Sequence, residues 1–341
     1  VALTETYVDP SIAGDSGSGT VGDPYGDLEY CLEQMTRDGT NGDRINIKAG
    51  TDEVLEFALD IVADYGTPTL SAPLVFQGYT SAAGDNGIGG ISGGGSVSIV
   101  DLTALDYVGF VDMHLHNTGA AQIIDLDQYC YLIRCELDNS SNASRTIELG
   151  ANGMVVGCHI HNIEGALFVS GCLVMFNFFD AAGANTMDSG TAFAQTAGLG
   201  LAYRNIYNLS GSALGINLAA GCAAISNAIF HDGAAIGDAI EKQGSARISA
   251  IINNIMHGGN GTGSEALRDN SGGFVGLFAG NSQYNYNSGF DAPPIVLDDW
   301  KGIGNETLGA SPFTDAAGGD FSPVDTGSIK EGSIPDDFAG Q

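Results

Sequence analysis

Between Tyr107 and about Gly259 the chain repeats a short alternation of apolar and polar positions. The segments that carry it are Val111–Asn117, Ile133–Asn139, Val156–Asn162, Val174–Asp180, Ala202–Asn208, Ile225–His231 and Ile251–His257. Each reads as a strand, because residues two apart share a face of an extended chain. The period, ~23 residues, wavers by a few positions, as in a coiled β-structure whose turns carry loops of variable length. Leu115, Leu137, Ile160, Phe178, Ile206, Ile229 and Ile255 fall at one equivalent position. Four residues earlier stand Val111, Ile133, Val156, Val174, Ala202, Ile225 and Ile251. The spacing predicts that both rows face inward and stack from turn to turn. Full burial of one such side chain stabilises by roughly 1.5–3 kcal/mol, so a row of them holds a solenoid together.

Between these rows lie Met113, Cys135, Cys158 and Phe176, then Arg204, Asn227 and Asn253. A polar residue closes each segment: Asn117, Asn139, Asn162, Asp180, Asn208, His231 and His257. Asn and Asp tolerate left-handed backbone and bond to the turn. Stacked at ~4.8 Å, such side chains form ladders. A helical reading fails, since the period is two and each glycine costs a helix about 1 kcal/mol.

A solenoid needs covered ends. Asp27–Arg37 reads as an amphipathic helix with Leu28, Cys31, Leu32 and Met35 on one stripe. Asp27 and Glu29 stand early and Arg37 late, which suits the helix dipole. Residues 85–96, rich in Gly and Ser, read as a loop. Beyond Asp291 the period is lost and Pro293, Pro294, Pro312, Pro323 and Pro335 follow. The expected organisation is an N-terminal cap over residues 1–50, a parallel β-helix over 51–290 and an extended C-terminal tail over 291–341. Trp300 and Phe313 are the tail's candidate anchors, against a partner or against the chain's own body.

The Asn-punctuated segments resemble the right-handed parallel β-helix proteins of the pectate-lyase-like superfamily. Tyr7–Pro10 and Gly42–Gly50 look like the opening of β-helix proteins common in bacteriophage genomes. Phe76–Thr80 and Ser311–Phe321 share that style. The resemblance implies an all-β fold: a single-stranded right-handed parallel β-helix with an N-terminal capping helix and an extended C-terminal tail. It also implies a place on a virion surface, with a secreted or cell-surface protein as the alternative. No basic stretch followed by an apolar run of the kind a secretion signal carries is visible from Val1 onward.

Composition narrows the partners. The 341 residues include 11 Lys and Arg against 41 Asp and Glu, a formal charge of −30. With 43% hydrophobic residues the chain is no disordered acidic tail. Nucleic acid and anionic membranes are excluded as partners, because both demand clustered Lys or Arg. Polyanionic sugars are disfavoured for the same reason unless a cation bridges. The six cysteines show no C-x-x-C spacing and read as small buried hydrophobes.

Candidate chemistry is sparse. The bases on the coil are Arg134, Arg145, Arg204, Lys242 and Arg247, none opposite an Asp cluster. Paired carboxylates for glycoside hydrolysis occur only as Asp298–Asp299 and Asp336–Asp337, in the tail. No catalytic residue is assigned. On the outward face, stacking would place His114 over Glu136 over His159, and His116 over Asp138 over His161, flanked by Asp112 and Arg134. These imidazoles and carboxylates are a candidate divalent-metal site; the alternatives are a plain surface ladder or a pH-sensitive contact with another chain. Met175, Phe179, Tyr203, Tyr207, Phe230, Ile252 and Met256 are expected to form an apolar outer stripe and a homotrimer interface, or to be covered by the chain's own tail. The expected function is a non-enzymatic virion subunit, a head decoration or tail component contacting capsid or tail proteins. The alternatives are a polysaccharide-binding or depolymerising enzyme, which would contact a surface glycan, and a bacterial surface adhesin.

Overall fold

Alternation is realised in short parallel strands, and the bends between them decide which side chains reach the interior. In a computed structural model of the chain, the residues described are 2–56, 58–59, 61–93, 98–102, 105–118, 122–139, 147–162, 165–168, 171–180, 191–195, 200–209, 214–218, 221–231, 237–242, 249–258, 265–269, 276–286, 288–290 and 306–324. The chain divides into two units, Val1–His161 and Asn162–Gln341.

In the first unit one sheet runs through Thr4–Val8, Asp43–Lys48, Leu74–Tyr79, Val108–Val111, Tyr131–Ile133 and Met154–Val156. A second runs through Asp52–Val54, Gly89–Ser92, Met113–Asn117, Glu136–Asn139 and His159–His161. Val100–Leu102, Ile124–Leu126 and Ile147–Leu149 make the third. All these pairings are parallel, and Thr4–Val8 already belongs to the stack. Gly89–Ser92, expected within a loop, is a strand of the second sheet. The cap helix spans Leu28–Gln34, shorter than expected; the Asp27 side chain caps it by accepting from the Tyr30 amide. Leu28, Cys31 and Leu32 are its buried stripe.

The second unit repeats the plan. Its first sheet holds Leu173–Met175, Leu201–Tyr203, Ala223–Ile225, Ser249–Ile252 and Gly276–Ala279. Its second holds Phe178–Asp180, Ile206–Leu209, Ala228–His231, Ile255–His257, Ser282–Tyr284 and Glu306–Thr307. Its third holds Ala166–Phe168, Thr191–Gln195, Leu214–Leu218, Ile240–Lys242, Glu265–Asp269 and Ser288–Phe290. The architecture is a parallel β-helix, as the repeat predicts.

Each seven-residue segment is two strands, not one. Between them sits a left-handed residue: Asp112, Arg134, Gly157, Phe176, Arg204, Ser226 or Asn253, with φ from 52° to 66°. That bend restarts the alternation. The first sheet therefore turns Phe110, Leu132 and Val155 inward, while Val111, Ile133 and Val156 face out half-buried. In the second sheet Leu115, Leu137 and Ile160 are inward as expected. In the second unit the inward row is Phe179, Tyr207, Ile229 and Met256, in register with one another. Phe178, Ile206 and Ile255 lie on the opposite face. The segments ending at Asp180, Asn208 and His257 are one residue shorter after the bend, so alignment on their polar ends slips by one position.

The residue after the bend differs between the units. In the second it is Asn177, Asn205, Asn227, Asn254 and Asn281, all buried. From Asn177 to Asn254 each Nδ2 donates to the next Oδ1 at 2.9–3.0 Å. From Asn205 onward it also donates to a main-chain carbonyl of the first sheet, Val174, Ala202, Ala224 and Ile251 in turn. In the first unit the same place holds Met113, Cys135 and Cys158; there the Cys135 amide meets Cys158 Sγ at 3.4 Å. All six cysteines are free and buried, as expected.

The tail is not simply extended. Phe313–Asp315 and Asp320–Pro323 pair antiparallel around a short 3-10 turn, Ala316–Gly318. Phe313, Ala316 and Phe321 pack on Ile206, Ala228, Phe230 and Ile255, with Phe178 alongside. Phe313 is thus an anchor, docked on the chain's own second unit; Trp300 lies outside the described residues.

Candidate functional site

Strand register builds the site. Glu136 pairs with His114 on one side and His159 on the other, and Asp138 with His116 and His161. The expected outward ladder therefore exists. Because Leu115, Leu137 and Ile160 are held in the core, alternation drives these six polar side chains outward. His159 is exposed and the rest are half-buried. His161 Nε2 lies 3.0 Å from Glu136 Oε1 and its Nδ1 3.7 Å from Asp138 Oδ1. The rings of His159 and His161 stack at 4.5 Å, and those of His114 and His116 at 4.8 Å.

One member escaped the sequence. Asp52 Oδ2 sits 3.1 Å from His116 Nε2, reaching from a strand two coils away. Its path crosses Gly90, where a Cβ would fall 1.7 Å from Asp52 Oδ1. The bare backbone of Gly90 is what lets the carboxylate through. The Gly- and Ser-rich residues 85–96 carry no strand pattern, although Gly89–Ser92 supplies the coil that lies between Asp52 and His116. At the ladder's edge Arg134 Nε and Nη2 donate to the two oxygens of Asp112 at 2.7 Å, a bidentate pair joining successive left-handed bends.

Glu136, His159 and His161 each offer a donor atom within 4.8 Å of the others. Donors bound tetrahedrally at about 2.1 Å lie about 3.4 Å apart, so side-chain adjustments of about an ångström or more would close them on one ion. Two imidazoles and a carboxylate suit Zn²⁺, Ni²⁺ or Cu²⁺, and leave coordination positions for water or substrate. His114, His116 and Asp138 neighbour this set without joining the convergent three.

The apolar stripe needs correction. Phe179, Tyr207 and Met256 point inward and are at most 2% exposed; the one-residue slip explains all three. Phe230 faces out but lies beneath the C-terminal hairpin. Met175, Tyr203 and Ile252 do stand half-buried on the outer face of the first sheet. Two apolar rows run there in register: Leu173, Leu201, Ala223, Ala250 and Leu277, then Met175, Tyr203, Ile225, Ile252 and Ala279. Of the basic candidates, Arg134 is committed to Asp112, Arg204 lies 5.2 Å from the Tyr203 ring centre and Lys242 is buried. Arg145, Arg247, Asp298–Asp299 and Asp336–Asp337 lie outside the described residues.

Three parallel sheets, the first and second joined by left-handed bends, define a parallel β-helix protein. The chain shares that fold with a rhamnogalacturonan lyase, at a TM-score of 0.53 and 12% identity over 96% of this chain and 97% of that one. A GH136 lacto-N-biosidase from Eubacterium ramulus aligns at a TM-score of 0.48 and 11% identity over 90% of this chain and 67% of that one. In sequence, no family model and no curated protein matches.

Proposed function

We propose that the protein acts on a polysaccharide across the outer face of the second sheet in its first unit, with Glu136, His159 and His161 holding a divalent transition metal. The observation that carries this reading is the convergence of those three donors on an exposed sheet face. The name of the rhamnogalacturonan lyase, whose fold the chain shares, supplies the substrate class. A bound metal would contribute the positive charge that a chain of net charge −30 lacks, and would bridge an acidic sugar or polarise a glycosidic centre. The chain's own groups do the rest. Asp138 helps orient His161, and His114, in register beside Glu136, is placed to exchange a proton.

The test is a panel of acidic and neutral glycans incubated with chelator-treated and metal-reloaded protein. Reducing ends and unsaturated products are both measured. Product that depends on metal and is lost in Glu136→Gln and His159→Ala supports the reading. Metal-loaded protein that binds none of the panel and releases nothing overturns it.

A second reading, a structural subunit assembled with copies of itself, rests on the two apolar rows of the first sheet in the second unit. Contiguous apolar surface of this kind marks interfaces. Sedimentation at micromolar concentration should show a trimer that Ile252→Lys dissociates; a monomer at that concentration removes this reading.

A further inference from the structure

The inward row of the second sheet begins with an acid. Glu53 pairs with Ile91, Ile91 with Leu115, Leu115 with Leu137 and Leu137 with Ile160. The four that follow Glu53 are apolar and at most 1% exposed, and Glu53 itself is only 7% exposed. A carboxylate at a core position is costly unless its oxygens are served. The Leu28 amide, at the start of the cap helix, donates to this carboxylate. Glu53 Oε2 is buried and receives no hydrogen bond among the described residues.

Glu53 forms part of the wall of a cavity of about 360 Å³. Asp15, Asp27, Glu29, Glu33 and Glu56 line the same cavity, together with Tyr30 and Val54. Among the described residues the lining contains no Lys, Arg, His or Cys. Burial, reinforced by the charges of Asp27 and Glu29, pushes the Glu53 carboxyl up to about 7. Cys31, on the buried face of the cap helix, is pushed up to about 12 by its own burial and by Asp27 and Glu53, so it stays neutral.

We propose that this cavity binds a hard divalent cation, Ca²⁺, with Glu53 as the buried ligand and the surrounding carboxylates completing the shell partly through retained waters. Side-chain donors that are all oxygens suit Ca²⁺ and Mg²⁺ over the transition metals. Ca²⁺ accepts six to eight oxygens in irregular geometry, whereas Mg²⁺ demands a near-ideal octahedron that a wide cavity does not impose. The site shares no residue with the Glu136–His159–His161 centre and does not depend on it.

The experiment is calorimetric titration of the full chain, stripped with a chelator, with CaCl₂ at pH 7 in two buffers of different ionisation heat. One saturable site is expected, with proton release on binding because burial holds part of the Glu53 carboxyl protonated at neutral pH. Glu53→Gln should bind about tenfold more weakly and release no proton, while keeping its circular dichroism spectrum. Glu136→Gln should bind Ca²⁺ like the parent, and MgCl₂ at equal ionic strength should bind more weakly. No saturable Ca²⁺ binding up to millimolar concentration overturns the proposal. So does a Glu53→Gln protein with unchanged affinity and unchanged proton release, or a cavity that takes Mg²⁺ or spermidine more tightly than Ca²⁺.

Discussion

The two units solve the same bend with different chemistry. In both, a left-handed residue separates the first sheet from the second. The side chain after it is a thiol or thioether in the first unit and an amide in the second. Sulfur is a weak hydrogen-bonding group and acts there mainly as a small, polarizable hydrophobe. The amides do more: Asn227 Oδ1 takes the Asn205 amide and Nδ2 at 3.0 Å, while its own Nδ2 serves Asn254 and the Ala202 carbonyl. A single carboxamide thus joins its own coil to both neighbours. Stacking by itself requires no such ladder, since the first unit manages without one. What the amides add is a fixed register, because a slipped strand would leave buried donors and acceptors unmet.

This contrast can be broken at its strongest point first. Asn227→Ala orphans several buried groups at once and should cost roughly 3–5 kcal/mol in chemical denaturation. Next, Phe313→Ala undocks the hairpin and should cost about 2–4 kcal/mol, with faster hydrogen exchange confined to the second unit. Glu53→Gln changes a pH profile. A carboxyl raised from 4.5 to about 7 favours the folded state below its unfolded value, and that contribution is lost as pH rises through 7. The variant should therefore match the parent near pH 4 and be more stable by about 2 kcal/mol at pH 8 without added cation. Smallest is Cys135→Ala, about 1 kcal/mol by the same denaturation assay, since only weak sulfur contacts and a little packing are lost. A Cys135 effect as large as that of Asn227 would erase the distinction between the two bends.

Legibility followed the same line. Leu115, Leu137 and Ile160 could be placed from sequence because their segments share one length after the bend, and the His and carboxylate ladder followed with them. Phe179, Tyr207 and Met256 could not, because a left-handed Phe176 or Arg204 looks like any strand residue and hides the restart. Asp52 was missed for a different reason. A strand of Gly89, Gly90, Ile91 and Ser92 carries almost no hydrophobic pattern, yet its missing side chain is what the contact needs. Glu53 was invisible because an acid next to Asp52 reads as surface, and only tertiary register places it in line with Ile91. Phe313 and Phe321 stand out as apolar in a proline-bearing tail, but sequence gives no sign of the face they cover.

The restarting bend also governs how the chain tolerates change in length. A residue gained or lost within one strand swaps inside for outside only as far as the next left-handed position, where the count begins afresh. Damage from insertion or deletion is thereby quarantined to a single coil, and neighbouring coils can drift in length over generations without losing the shared interior.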